Sequence, residues 1–548
     1  MSKVVLLAVN AKYVHSSLSV WVIAGGIARF ARSQHETIII EATINQPCCG
    51  IVDSVAASGP DVIGISSYIW NAGMLPELLR SLRERLPEAL LVLGGPEASN
   101  NAGFWLGNGA DHVLSGEGEY AFPRFLDSLS GSLQLSSGSN GFAVGIGGNS
   151  NSDVSIGGNS ALDYPVDPYT DAYFDALNGR LAYIEASRGC PFRCSFCLSA
   201  GSMVRYFPLE SIKEQILKLA RSNTKTLKFV DRTFNCNKER AFEIFEFIID
   251  LETSCIFHFE VAADLFDERI LSLLETAPPG RIQFEIGLQS FHEPALIAVE
   301  RKMDAEKAER NILALLKMKN IHIHIDLIAG LPYESLDCFA KSFVRAYLLN
   351  THTLQLGFLK LLHGSELRKQ ADKLGIKYSA KPPYEIICSP WLSAGDIQIL
   401  KNAENALRHT RNKGRFLTTL DYTLKVAAEN PFSLMGLLGA SVPNHATQLE
   451  DYAVQVYDFL ASLPGVDKER LKDCMSYDWL GMVKGKNTPA FLKNNDKNRC
   501  RVANEAERVL GRKIRREEYA VLLSGKGIFA DSNNRSPVTG LHKVYYCS

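Results

Sequence analysis

Two long stretches of this 548-residue chain alternate short apolar segments with helix-length amphipathic ones, and that alternation limits the fold more than any other feature. In residues 1–128 the apolar segments are KVVLLAVN, TIIIEAT, DVIGISS, ALLVLGG and HVLSG. In residues 180–365 they are LAYIEAS, TLKFV, FHFEVAA, IQFEIGL, HIHIDLIAG and LQLGFLK. Runs such as MLPELLRSLRERL and ERAFEIFEFIIDLE lie between them, with apolar residues at helical spacing. Continuous apolar strands joined by helices belong to parallel sheets covered on both faces. The first series predicts a Rossmann-like, doubly wound domain that takes ligands outside the carboxyl ends of its strands. The second predicts a complete or partial parallel barrel, of (β/α)6 type, with its site at the same ends. The fold class is therefore α/β.

Between the two series, Gly, Ser and Asn fill 21 of the 31 positions from 130 to 160, and IGGNS occurs twice. Such a segment buries too little apolar surface to offset its ordering entropy, so a Gly/Ser/Asn-rich linker is expected. From about residue 366 strand signals fade. DIQILKNAENALRHT, LEDYAVQVYDFLASL and RREEYAVLLS read as helices, which predicts a mainly helical carboxyl-terminal domain. The expected boundaries are 1–128, 129–175, 176–365 and 366–548. Lys plus Arg number 59 and Asp plus Glu 60, so the net charge of −1 leaves no basic footprint for nucleic acid. No window is apolar enough for a membrane span, and MSKVVLLAVNAKYVHSS reads as a buried strand better than as a signal peptide. Nine of the twelve cysteines are scattered, which suits a reducing cytoplasm.

The other three stand in YIEASRGCPFRCSFCLS, just after a strand: Cys190, Cys194 and Cys197. Three thiolates on one loop can each hold one iron of a cubane and leave the fourth iron open to an outside ligand. Thiolates suit iron–sulfur clusters or zinc. A structural zinc site takes four closed ligands, and no second Cys pair with suitable spacing is visible.

RGCPFRCSFC resembles the cluster motif of the radical S-adenosylmethionine (SAM) enzymes. The resemblance runs on through VDRTFN, EVAADL, EIGLQS and LIAGLPYE, about 180 residues in all. It implies that Cys190, Cys194 and Cys197 ligate a 4Fe–4S cluster. The open iron binds the amino and carboxylate groups of SAM, and one electron cleaves the sulfonium to methionine and a 5′-deoxyadenosyl radical. It further implies Phe196 near the adenine, and Glu260, Glu285, Gln289 and Ser290 as hydrogen-bonding partners of SAM. Each of these also has an ordinary structural reading, as core packing or a loop cap. Asp231 and Asn235 stand where many relatives carry Gly-Gly-Glu. Arg301 is expected on a surface helix, and His322 and His324 as a packed or bottom-facing pair on one strand face.

A doubly wound domain ahead of such a barrel resembles the cobalamin-binding arrangement. That implies cobalamin contacts at Ser66 and Ser67, at the turn of Gly94 and Gly95, and in the loop of Gly116, Glu117 and Gly118. The D-x-H-x-x-G pattern that gives cobalt an axial His in many relatives is missing; His15 stands near its place, and a packing role is expected of it. The whole pattern is similar to a bacterial subgroup with a helical carboxyl-terminal domain of unassigned function. It implies a cobalamin-dependent radical SAM enzyme, acting in methyl transfer or another radical transformation of an unknown substrate, with a flavodoxin or ferredoxin as reductant. A cobalamin-independent radical SAM enzyme is the alternative. A transfer-RNA methylthiotransferase ranks below both, because Cys48 and Cys49 cannot make the second three-Cys cluster it needs.

Overall fold

The computed structural model describes residues 2–129, 143–144, 166–442, 448–482, 488–493 and 498–547; most of the expected linker lies outside them. The chain forms two compact units. One comprises Met1–Val261, Val299–Arg301 and Lys360–Ile386, the other Ala262–Ala298, Lys302–Leu359 and Ile387–Ser548.

The first unit opens with five parallel strands: β1 (Lys3–Asn10), β2 (Glu36–Thr43), β3 (Val62–Ser66), β4 (Leu90–Gly94) and β5 (His112–Leu114), in the order β2-β1-β3-β4-β5. Val5, Leu7 and Val9 of β1 enter one core, with the helices Cys48–Ala56 and Leu75–Arg85 and with Trp105. Val4, Leu6 and Ala8 enter the other, with the helices Leu18–Phe30 and Gly118–Leu129. The strands are thus apolar on both faces because both faces are covered, the doubly wound plan. Each fully buried Val or Leu contributes about 1.5–3 kcal/mol.

The same unit continues with β6 (Ala182–Ile184), β7 (Ser187–Cys190), β8 (Ser202–Tyr206), β9 (Thr226–Phe229) and β10 (Ile256–Val261). Strand β9 pairs in parallel with both β6 and β10. The strand expected over LAYIEAS is shorter than its apolar run. After Ile184 the chain turns into an antiparallel hairpin, β7 with β8, which carries the first cysteine. Gly189 sits in this hairpin at φ 101°, and a Cβ there would lie 2.2 Å from the Met203 carbonyl oxygen, so only glycine fits.

In the second unit, β11 (Ile282–Gln289), β12 (His322–Ala329) and β13 (Thr353–Phe358) are parallel. Burial alternates strictly along β11 and β12: Phe284, Ile286, Leu288, Ile323, Ile325 and Leu327 are buried, and the polar residues between them share the opposite face. Six helices from Ala394–His409 to Arg499–Leu510 make the carboxyl-terminal region mainly helical. Asp478 ties two of them, accepting from the Thr418 and Thr419 amides at 3.0 and 2.8 Å at the start of the helix Leu417–Val426.

The helix expected over RREEYAVLLS is not formed. Arg516–Glu518 is one 3-10 turn, and Tyr519–Val521 is strand β14, which joins β15 (Gly527–Arg535) and β16 (His542–Tyr546) in an antiparallel sheet. The Glu518 carboxylate accepts from the Arg515 amide at 2.8 Å and closes the turn, while Ala520 and Leu522 pack against Ile528 and Ala530. Tertiary packing overrides the helix propensity of RREE.

Candidate cofactor site

The cysteine loop leaves hairpin strand β7 and is clamped at several points. The Ser195 amide donates to the Val299 carbonyl (2.9 Å), Leu367 donates to Ser195 (2.8 Å), and Gly201 donates to Phe192 (2.7 Å). Cys190 and Cys194 are buried and Cys197 half-buried. Burial pushes the Cys197 thiol up, against the Ser199 amide, 3.4 Å from its sulfur, and the charge of Arg232. Cys190 Sγ lies 3.6 Å from Thr233 Oγ1. Arg301 is not on a surface helix, as the sequence suggested. It follows the helix Glu293–Ala298, half-buried, with Nη1 3.6 Å from Cys194 Sγ and its guanidinium over the Phe192 ring. The backbone bond between Val299 and Ser195 is what brings it there. Phe196 is half-buried in the same loop.

Among the described residues, Glu285, His324 and Asp326 form the three-residue group whose ligand atoms lie within 4.8 Å of one another, and the cysteines form no such group. A single tetrahedral ion with bonds of about 2.3 Å would draw its thiolates closer than that. Three thiols that are not all within 4.8 Å of one another fit a cluster in which each sulfur takes its own iron.

The polar face of β11 and β12 gathers ionisable groups. His324 Nε2 is 3.0 Å from Asp326 Oδ1, and Glu285 stands with them. His322 opens β12 two residues before His324 and on the same face; it approaches the Val538 carbonyl at 2.8 Å and stacks on His352, so it is packed there while His324 meets Asp326. Gln289 ends β11 at a register shift, with φ 70°, and its buried Oε1 has no hydrogen-bond partner. A left-handed non-glycine residue with an orphaned amide oxygen is strain of the kind stored at ligand sites, and it fits a donor such as the SAM ammonium or ribose. Ser290 is fully buried and committed: its Oγ donates to Glu334 at 2.5 Å and accepts from the His292 amide at 2.8 Å. In the first unit, Glu260 lies 3.7 Å from Lys228. Asp231 is buried, accepts from Ala186 N (2.9 Å) and Ser187 Oγ (2.5 Å), and has its carboxyl pushed up to about 7 by burial. Asn235 is fully buried.

At the strand ends of the first sheet, Ser67 is also committed. Its Oγ donates to the Gly94 carbonyl and accepts from the Ala98 amide, both at 2.8 Å. Ser66 is half-buried, and Gly94 has room for a side chain. Gly95 has φ 99°, and a Cβ there would meet the Ser67 carbonyl oxygen at 2.6 Å. Gly116 is likewise left-handed, Gly118 packs on Ile23, and Glu117 is ion-paired to Arg188 at 3.2 Å. His15 Nδ1 is held 2.6 Å from the Tyr183 hydroxyl. The order β2-β1-β3 places the topological switch between β1 and β3. There the loops present an apolar shelf: Tyr13 is 67 % exposed, Val14 45 %, and Trp70 44 %, with Trp70 stacked on Tyr68 at 4.3 Å. The Arg180 guanidinium lies over the Tyr13 ring at 5.8 Å and Lys12 is exposed beside it, so the shelf is aromatic with a basic edge, and its aromatic part fits the broad apolar face of a corrin ring.

The B12-binding domain family matches residues 4–126, and the radical SAM superfamily matches residues 184–345. Over these residues the chain is similar to a B12-binding domain followed by a radical SAM domain. Residues 372–526 match a domain of unknown function, DUF4080. The chain is 25 % identical over 331 residues to the cobalamin-dependent radical SAM methyltransferase TokK of Streptomyces tokunonensis, covering 56 % of the chain and 46 % of TokK. It is 32 % identical over 172 residues to the hopanoid C-3 methylase of Methylococcus capsulatus, 29 % of the chain and 32 % of that protein. The chain spans about half the length, or less, of these curated relatives. Its fold is similar to that of OxsB, a cobalamin-dependent SAM radical enzyme solved with aqua-cobalamin (TM-score 0.58, 15 % identity, 87 % of this chain and 78 % of that one). It is also similar to TsrM of Kitasatospora setae, solved with cobalamin and a 4Fe–4S cluster (TM-score 0.55, 15 % identity, 90 % and 97 %). No helix among the described residues is long and apolar enough to cross a membrane.

Sequence reasoning missed Asp326, the nearness of Arg301 to Cys194, and the aromatic shelf. The alternation in HIHIDLIAG put Asp326 on the same face as His324 and was a usable signal. No local pattern marks Arg301, whose place depends on a long-range backbone contact.

Proposed function

We propose that this chain is a cobalamin-dependent radical SAM enzyme of the methyl-transferring kind, acting on a substrate that it does not itself identify. The observation that carries this reading is the clamped three-thiol loop with Arg301 beside Cys194. When bound, the cluster supplies the electron that cleaves SAM to methionine and a 5′-deoxyadenosyl radical, and cobalamin supplies the group transferred to the substrate radical. Cys190, Cys194 and Cys197 are the cluster ligands. Arg301, with its Nη1 3.6 Å from Cys194 Sγ, bonds the SAM carboxylate. Gln289, Glu285 and Asp326 accept hydrogen bonds from the SAM ammonium and ribose, Glu260 serves as a further acceptor, and Phe196 packs near the adenine. In the amino-terminal domain, Tyr13, Tyr68 and Trp70 exclude water from one corrin face. The backbone of Gly94, Gly95 and Gly116 approaches its amide rim, and Ser66 bonds that rim. Residues 1–128 are the cobalamin part, 176–365 the radical SAM part and 366–548 a helical domain of unassigned function, with 129–175 as the linker. A flavodoxin or ferredoxin is the reductant, in a reducing cytoplasm where the nine cysteines outside the cluster stay thiols.

Anaerobic reconstitution with iron, sulfide and hydroxocobalamin tests the reading. Four irons, one cobalamin and reductive formation of 5′-deoxyadenosine from SAM are expected. Deoxyadenosine without cobalamin uptake would favour the cobalamin-independent alternative, and zinc in place of iron would refute the radical chemistry.

A further inference from the structure

A network of five charged side chains joins the loop after β5 to the hairpin that carries the first cysteine. Arg188, two residues before Cys190, is its hub. Its Nη1 lies 2.5 Å from Glu119 Oε1, an ion pair outside hydrogen-bond angles, and 3.2 Å from Glu117 Oε1. Its Nη2 and Nε reach Glu185 Oε2 at 2.9 and 3.0 Å. Arg205 of β8 closes the circuit on Glu117. The Arg188 guanidinium also lies over the Phe207 ring at 5.4 Å. The Glu119 side chain is only 4 % exposed. Arg188 and Arg205 hold the Glu117 carboxyl below its usual range against its burial, while burial pushes the Glu185 carboxyl up. The three carboxylates outnumber the two guanidinium groups by one, and each lies within ion-pair distance of Arg188. Glu117, whose family resemblance suggested a cobalamin contact, is already engaged.

We infer that Arg188 is a positioning residue that locks the cobalamin-side loop of residues 114–120 to the cysteine hairpin of residues 187–206, so that the two cofactors are held in fixed register. This rests on the cofactor assignment proposed above. Buried pairs of this kind fix geometry more than they add stability, and breaking one partner leaves an uncompensated charge. Transfer chemistry between two bound groups is sensitive to displacements of about 1 Å, which cost roughly a hundredfold in rate. A planar fork reaching three carboxylates at once is a task for arginine that lysine performs poorly.

Two measurements on Arg188→Ala test the inference. In hydrogen exchange on the full chain without cofactors, peptides covering 114–120 and 187–206 should both lose protection, while β1 and β3 keep theirs. Arg188→Lys should restore protection only in part. In the reconstituted protein, the paramagnetic resonance signal of bound cob(II)alamin should be broadened by the reduced cluster in the wild type, and this broadening should change in Arg188→Ala at unaltered iron and cobalamin content. Loss of protection confined to 187–206, or an unaltered broadening, would overturn the inference and leave the cofactor assignment standing. A wild type that takes up no cobalamin would overturn both. If Arg188→Ala does not fold, the isosteric Glu117→Gln carries the same two readouts with the same deciding outcomes.

Discussion

The carboxyl ends of β1 and β3 present an exposed aromatic shelf without carboxylates, whereas β11 and β12 present Glu285, Gln289, His324 and Asp326. Both regions are parallel α/β structure, so topology alone does not explain the contrast. The burial pattern does. Val4 to Val9 of β1 are all buried, because helices cover both faces of that sheet. A polar side chain inside it would be desolvated without a partner, and ligand-binding groups are driven to the loops. In β11 and β12 only every second residue is buried, so the alternate positions accept carboxylates and imidazole along the strand itself. Parallel topology says where a ligand binds, and the period of burial says what chemistry can meet it there.

The contrast predicts that the two regions fail independently. The largest effect is expected from Cys194→Ala, which should abolish cluster iron and deoxyadenosine formation while leaving cobalamin uptake near one per chain, by metal analysis and absorbance. Loss of cobalamin with the iron would mean that the two regions are not separate in function. Trp70→Ala should do the reverse. Removing an aromatic side chain from an apolar contact costs about 1.5–3 kcal/mol, or roughly ten- to a hundredfold in cobalamin affinity, with cluster iron unchanged. An unchanged affinity in an equilibrium titration would remove the shelf from the corrin site.

Much of this layout is legible in the residues. Continuous apolar runs give the strands, and the spacing of Cys190, Cys194 and Cys197 gives the cluster loop without any tertiary information. What is not legible is which polar strand-end residues remain available to a ligand. Ser67 and Ser290 both follow strands in family-like motifs, yet the hydroxyl of each donates to an acceptor 27 or more residues away. Glu117 and Arg188 are 71 positions apart in sequence. The helix expected over RREEYAVLLS gives way to a strand because its apolar residues find a sheet made by residues still further along the chain. Local pattern reveals the element and the motif, and long-range packing decides which side chains are used up.

The two serines sharpen the comparison further. Ser290 meets a titratable partner, Glu334, whose carboxyl burial pushes up to about 7 despite the hydrogen bonds from Ser290 and Ser342. The folded value lies above the unfolded value of 4.5, so the folded protein keeps this proton where the unfolded chain has lost it. Its contribution to stability is present below pH 4.5 and is lost as pH rises through about 7, a loss on the order of 3 kcal/mol in denaturant midpoints converted to free energy. Glu334→Gln should remove that slope; a slope unchanged in the variant would show that the proton resides elsewhere.

Ser67, by contrast, meets only the Gly94 carbonyl and the Ala98 amide, neither of which titrates. Ser67→Ala should therefore cost about 1 kcal/mol, the net worth of an ordinary hydrogen bond, and by the same amount at pH 5 as at pH 8. The effect is smaller than that at Glu334 because no charge is buried or released. It should appear as a parallel shift of the stability–pH curve, because neither partner gains or loses a proton when the hydroxyl is removed. A cost that varied with pH across this range would mean that the hydroxyl is coupled to Glu97, the buried carboxyl after Gly95 that burial pushes up and whose amide lies 3.4 Å from the Ser67 carbonyl oxygen.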